Sequence, residues 1–128
     1  MLRLLRQMKA VLLLISLLFA GCANFERTSP AQRLAGDWRY SDQVQSCQYS
    51  FKSDGSFTGS VKQRGKLVSK FTGRWSINNR TLHYLYLGDT LGSIPAGATD
   101  QDQLLEIEKD HFVIRAANGE RRRYLRVR

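Results

Sequence analysis

From Leu34 to the C-terminus, apolar and polar residues alternate, and turn signals recur every eight to twelve residues. A period of two puts one side chain in each pair on a buried face, which is strand geometry. Many short strands at even spacing predict an all-β sandwich or barrel. The strands expected are "GDWRYS" (36–41), "CQYSFK" (47–52), "SFTGSVKQ" (56–63), "KLVSKFTGRWSIN" (66–78), "TLHYLYL" (81–87), "LLEIEK" (104–109), "HFVIRA" (111–116) and "RRRYLRV" (121–127). These make about eight antiparallel strands in a meander. Closing them into a small barrel would remove the exposed edges that such a sheet otherwise carries.

Two hairpins allow a register to be derived. In the first, a three-residue loop ending in Gly55, a type I turn with a G1 bulge, sets Phe51 opposite Phe57 and Tyr49 opposite Gly59. A two-residue loop would mix apolar and polar faces, so the three-residue loop is expected. In the last, Asn118-Gly119 favours a two-residue type I′ turn. That places Phe112 opposite Leu125 and Val113 opposite Tyr124. Arg122, Tyr124, Arg126 and Arg128 then share the outer face, with Arg115 opposite Arg122. Gly73 is expected at a bend in its strand.

The net charge is +9, and it is unevenly spread. Residues 1–21 hold Arg3, Arg6 and Lys9 and no acid, so the rest carries 17 basic against 11 acidic residues. Residues 115–128 hold six arginines against Glu120 alone, which leaves the body near neutral. The basicity is therefore a feature of the last strand. Arginines around an aromatic can hold phosphate or carboxylate groups. A charged strand also serves simply to keep a sheet edge from pairing with other chains.

The N-terminus sets the address. "MLRLLRQMK" is cationic, and the apolar run Ala10–Ala20 is too short to span a bilayer, which takes roughly 20 residues; it fits the apolar region of a secretory signal. Phe19-Ala20-Gly21-Cys22 resembles the end of a bacterial lipoprotein signal, with Phe19 where that motif usually has Leu. The resemblance implies cleavage before Cys22, acylation of its thiol (diacylglyceryl and palmitate-type chains) and, with Ala23 rather than Asp next, the outer membrane facing the periplasm. The alternative is an ordinary signal peptide that leaves Cys22 to pair with Cys47. The organisation expected is a signal peptide at 1–21, a lipidated tether at 22–33 and a barrel domain at 34–128.

That domain resembles short bacterial lipocalin-like domains. The resemblance rests on "LAGDW" with Gly36-x-Trp38, "YSFKSDGSFTG", "GRWSINNRTL" and "FVIRAANGERRRYLRV". The chain is shorter than a full lipocalin and lacks its C-terminal helix. The resemblance implies a small barrel that binds a small apolar or amphipathic ligand, with Tyr49, Phe51, Phe57, Phe71 and Trp75 as lining candidates.

Enzyme motifs are missing: there is no GxSxG, P-loop, HExxH or CxxC. His83 and His111 have no spaced ligand set around them, so no metal and no cofactor is expected. Asp89, Asp100 and Asp102 lack the frame of a calcium loop and read as a solvated acidic stretch. Cys47 falls on the apolar face and reads as a buried, inert thiol. Residues 88–103 form a long expected loop, read either as a cover for one barrel mouth or as a slack connection. The expectation is a non-enzymatic envelope lipoprotein that binds a small ligand and not nucleic acid. The competing reading is an envelope scaffold that binds anionic glycan, lipid or protein through Arg115, Arg122, Tyr124, Arg126 and Arg128.

Overall fold

The computed structural model describes residues 28–128, so the expected signal peptide, Cys22 and most of the expected tether lie outside the described residues. A short helix, α1 (Pro30–Leu34), precedes eight strands: β1 (Gly36–Ser41), β2 (Gln45–Phe51), β3 (Ser56–Gln63), β4 (Lys66–Asn78), β5 (Thr81–Asp89), β6 (Thr99–Ile107), β7 (His111–Arg115) and β8 (Arg121–Arg126). Each strand pairs antiparallel with the next, and β8 returns to β1, giving the closed eight-stranded barrel that the alternation implied.

One face of every strand points inward. Trp38, Phe51, Phe57, Phe71, Leu82, Phe112 and Ile114 are almost fully buried. Their rings pack edge-to-face and stacked: Trp38 meets Phe112 at 4.7 Å between centroids, and Phe57 meets Phe71 at 5.9 Å. This geometry suits the ring quadrupoles. Gly73 is required by that packing, because a Cβ there would overlap the Leu85 carbonyl and the Phe57 ring. The bend expected at Gly73 is a register shift between Thr72 and Gly73 against β5.

Helix α1 shuts one end. Ser29 and Gln32 form a capping box, with Ser29 Oγ accepting from Gln32 N at 3.2 Å and Gln32 Oε1 from Ser29 N at 2.8 Å. Pro30 suits the first helical turn, whose N–H groups have no partner anyway. Leu34 is fully buried, and Arg33 donates to the Ile107 carbonyl. The last residues of the expected tether are thus part of the domain. At this closed end the Arg126 guanidinium lies 4.1 Å from the Trp38 ring centre. It donates to the carbonyls of Lys109 (2.7 Å), Ala35 (3.1 Å) and Arg33 (2.9 Å). Trp38 Nε1 in turn donates to the Leu34 carbonyl at 2.7 Å.

Three sequence expectations change. The first hairpin has the derived register, Phe51 opposite Phe57 and Tyr49 opposite Gly59. The last hairpin does not: Phe112 faces Tyr124 and His111 faces Leu125. Ala116 N donates to Glu120 O and Gly119 N to Ala116 O, both at 2.8 Å. The loop therefore has three residues, Ala117 to Gly119, and a one-residue shift flips every side chain. Arg122, Tyr124 and Arg126 turn inward, on the same face as Phe112 and Ile114, and not outward. The expected 88–103 loop also shrinks, because β5 continues to Asp89 and β6 begins at Thr99. Finally, the expected tether at 22–33 ends in α1.

Candidate functional site

The two barrel ends differ in chemistry. At the end opposite α1 the interior turns polar. Arg122 enters from β8, opposite Ile114. Asp100 and Asp102 enter from β6, opposite Tyr84 and Leu82 of β5. Tyr49 from β2 and Tyr124 from β8 complete the floor, 5.8 Å apart edge-to-face. With the 116–118 turn these residues line a pocket of about 270 Å³.

The pocket exists because the wall is incomplete there. Pairing of β6 with β7 starts at Gln103 and Arg115, so Thr99–Asp102 pair with β5 on one side only. Their other side faces the β7–β8 turn across the gap. Inward-facing acids on this stretch continue the alternation that places Leu104 in the core.

Three polar side chains of the pocket, Tyr84, Asp102 and Arg122, are held by side-chain partners. Tyr84 donates from its hydroxyl to Asp102 Oδ2 at 3.0 Å. Arg122 makes a forked contact with Glu120, Nη2 to Oε2 at 3.2 Å and Nε to Oε1 at 3.4 Å, and sits 5.5 Å from the Tyr40 ring centre. Burial raises the Asp102 pKa above the ordinary carboxylate value; Tyr84 opposes this, Asp100 adds to it and Arg122 opposes it. Burial works against the charge on Arg122, but Glu120 and Tyr124 more than offset it, so the guanidinium is held more firmly charged than usual. Burial drives the Tyr49, Tyr84 and Tyr124 phenols well above their ordinary range. The arrangement can therefore offer a fixed cation, carboxylates and neutral phenol donors to one small molecule.

The other expected residues are distributed as follows. Of the aromatic candidates, Tyr49 lines this pocket. Phe51, Phe57 and Phe71 fill the barrel centre against one another, and Trp75 packs on Phe51 at 5.2 Å while donating to the Lys52 carbonyl at 2.9 Å. Of the basic candidates, Arg122 and Tyr124 are in the pocket, Arg126 is at the closed end, Arg115 is outside on β7, and Arg128 follows β8. The five do not form one surface. Cys47 is buried, and burial raises its thiol pKa. His111 Nδ1 contacts Asp110 at 2.7 Å and its Nε2 lies 3.5 Å from Glu106. Among the described residues no cluster of His, Cys, Asp or Glu suits a metal ion. Open grooves of about 820 Å³ and 400 Å³ lie on the outside of the sheet, over β4–β6 and over β1–β4.

Sequence reasoning missed Asp100, Asp102 and Tyr84. The signal was present: "TDQDQLLEI" carries the two-residue period back from Leu104 through Asp102 to Asp100.

No protein-family model matches the chain, and no curated protein matches it. Among solved structures, the fold is similar to that of a lipocalin-like protein from Bacteroides uniformis, with a TM-score of 0.56 and 19% identity over 74% of this chain and 99% of that one. The barrel is thus lipocalin-like in architecture.

Proposed function

We propose that this chain is a non-enzymatic binding protein of the bacterial cell envelope, held at the outer membrane by acylation of Cys22. Its ligand is a small amphipathic molecule carrying both a positive and a negative group. One observation carries the reading: Arg122 and the pair Asp100 and Asp102 enter the same pocket from different strands, over a floor of buried phenols. The size supports a small ligand. Pockets for drug-sized molecules run from about 300 Å³ upward, and the aromatic centre below this one is filled. An anionic group would pair with Arg122 in the planar, two-point manner that guanidinium favours, and an ammonium would meet Asp100 and Asp102.

Native mass spectrometry of the mature protein purified from its own envelope tests this. The expected result is a bound species of low mass that is lost in Arg122→Ser and in Asp102→Asn. A wild-type protein without adduct, or an adduct retained by both variants, overturns the mouth as the binding site. The anchor has its own test: a fatty-acid analogue labels the wild type and not Cys22→Ala, and equal labelling of both rejects acylation there.

A further inference from the structure

The corrected register of the last hairpin moves a different set of arginines to the surface. On β7, β8 and β1 the outward positions hold Arg115, Arg121, Arg123 and Arg39, all exposed. Arg121 lies directly opposite Arg115, and Arg123 is opposite Val113. Like charges directly opposite on a sheet repel, yet among the described residues none of these four arginines makes an ion pair. Two carboxylates of the adjoining β6 and β6–β7 turn are engaged by a histidine. Glu106 and Asp110 both contact His111, and Asp110 also feels the charge of Arg123. Asp37 is the one acid facing outward on β1. Protection of a sheet edge does not explain the cluster, because β8 has a neighbour on each side.

Two apolar side chains continue the same outward row. Leu125 is 42% exposed and Val127 44% exposed, and Leu125 pairs with Arg39. A soluble anionic polymer would use the arginines and gain little from Leu125 and Val127. A bilayer uses both, since arginines meet phosphate headgroups and apolar side chains enter the interface.

We propose that the outer face of β7–β8–β1, centred on Arg121 and Arg123 with Leu125 and Val127 beside them, rests on an anionic phospholipid surface. This goes beyond the ligand reading and uses none of the mouth residues. It also supplies the second attraction that an acyl anchor gains from a basic patch.

The test is co-sedimentation of the full chain with phosphatidylcholine vesicles and with vesicles in which part of the phosphatidylcholine is replaced by phosphatidylglycerol. The N-terminal segment, which carries Arg3, Arg6 and Lys9, contributes equally in all variants, so the readout is the difference between variant and wild type in the extra binding that anionic lipid confers. The expected extra partition disappears at high salt and falls about tenfold or more in Arg121→Ser/Arg123→Ser. Leu125→Ser/Val127→Ser lowers it as well, with an unchanged circular dichroism spectrum in both variants. Equal binding to both vesicle types, or variants indistinguishable from wild type, overturns the proposal. Stronger binding to soluble polyphosphate than to vesicles, unaffected by Leu125→Ser/Val127→Ser, also overturns it and assigns the face to a polymer. Retention of the mouth adduct in Arg121→Ser/Arg123→Ser keeps the two readings separate.

Discussion

Arg126 and Asp102 show opposite uses of a charge inside a small barrel. Arg126 satisfies three backbone carbonyls around α1 and the β6–β7 turn while covering the Trp38 ring. Removing it leaves those carbonyls without their donor and uncovers the indole. Arg126→Ala is expected to cost about 2 kcal/mol in urea denaturation, and Arg126→Lys to recover little, because an ammonium lacks the planar fork. Asp102 is a charge the fold holds against burial. Its folded pKa is raised, so the native state keeps a proton that the unfolded chain has already released. Stability from this group therefore falls as pH climbs from the ordinary value of 3.8 toward the raised one. Asp102→Asn keeps an acceptor for Tyr84 and removes that loss. The variant is expected to melt higher than wild type at pH 7 and to lose this advantage near pH 3.5. A variant less stable than wild type at pH 7, with the deficit fading near pH 3.5, would mean that Arg122 outweighs burial.

The first and last hairpins use the same loop: in each, a residue N–H bonds across to the far strand and a glycine at positive φ turns the chain, Gly55 at +89° and Gly119 at +85°. An L-residue in that region costs about 1–2 kcal/mol. Gly55→Ala and Gly119→Ala should therefore lower stability by similar amounts in thermal melts, although only the second borders the pocket. A near-neutral Gly119→Ala would imply a different turn from the one described. This pair also marks how far the elements were legible. At Gly55, Phe51 and Phe57 on both sides choose the register by hydrophobic matching. At Gly119 the flanking residues are Ala116, Ala117, Glu120 and a run of arginines, so matching gives no choice and the Asn-Gly pair suggests the shorter turn. The inward arginines were illegible for the same reason. Arg122 and Arg126 occupy core-phase positions only at the two ends of the barrel, where a charged head can reach a polar mouth or a set of carbonyls. Strands β1, β3 and β4 were readable because apolar residues and glycine alternate with polar ones along them: Trp38 and Tyr40, then Phe57, Gly59 and Val61, then Phe71, Gly73 and Trp75.

At the scale of the whole molecule, the barrel is a column of aromatic rings closed at one end by α1, Trp38 and Arg126, and polar at the other. The meander and its closure follow from alternation, since each strand pairs with its sequence neighbour. The polarity of the mouth does not, because it depends on where β6 outruns β7. The column has a property that can be read in bulk. All five tyrosines, Tyr40, Tyr49, Tyr84, Tyr86 and Tyr124, have pKa values raised above 10.0, in each case first by burial. Above pH 10 the unfolded chain ionises its phenols while the folded one keeps its protons, so stability drops as pH rises. An alkaline titration followed by phenolate absorbance should therefore show no step of several tyrosines at the ordinary midpoint. Phenolate should instead appear in one cooperative rise that coincides with loss of near-ultraviolet circular dichroism. Tyr40, the most solvated of the five and bonded to Asp42 at 2.8 Å, can ionise slightly ahead of the others. If three or more phenols titrate near pH 10 with the dichroism intact, the mouth phenols are in contact with bulk water. Tyr49, Tyr84 and Tyr124 then cannot serve as the neutral donors that the binding reading assigns to them.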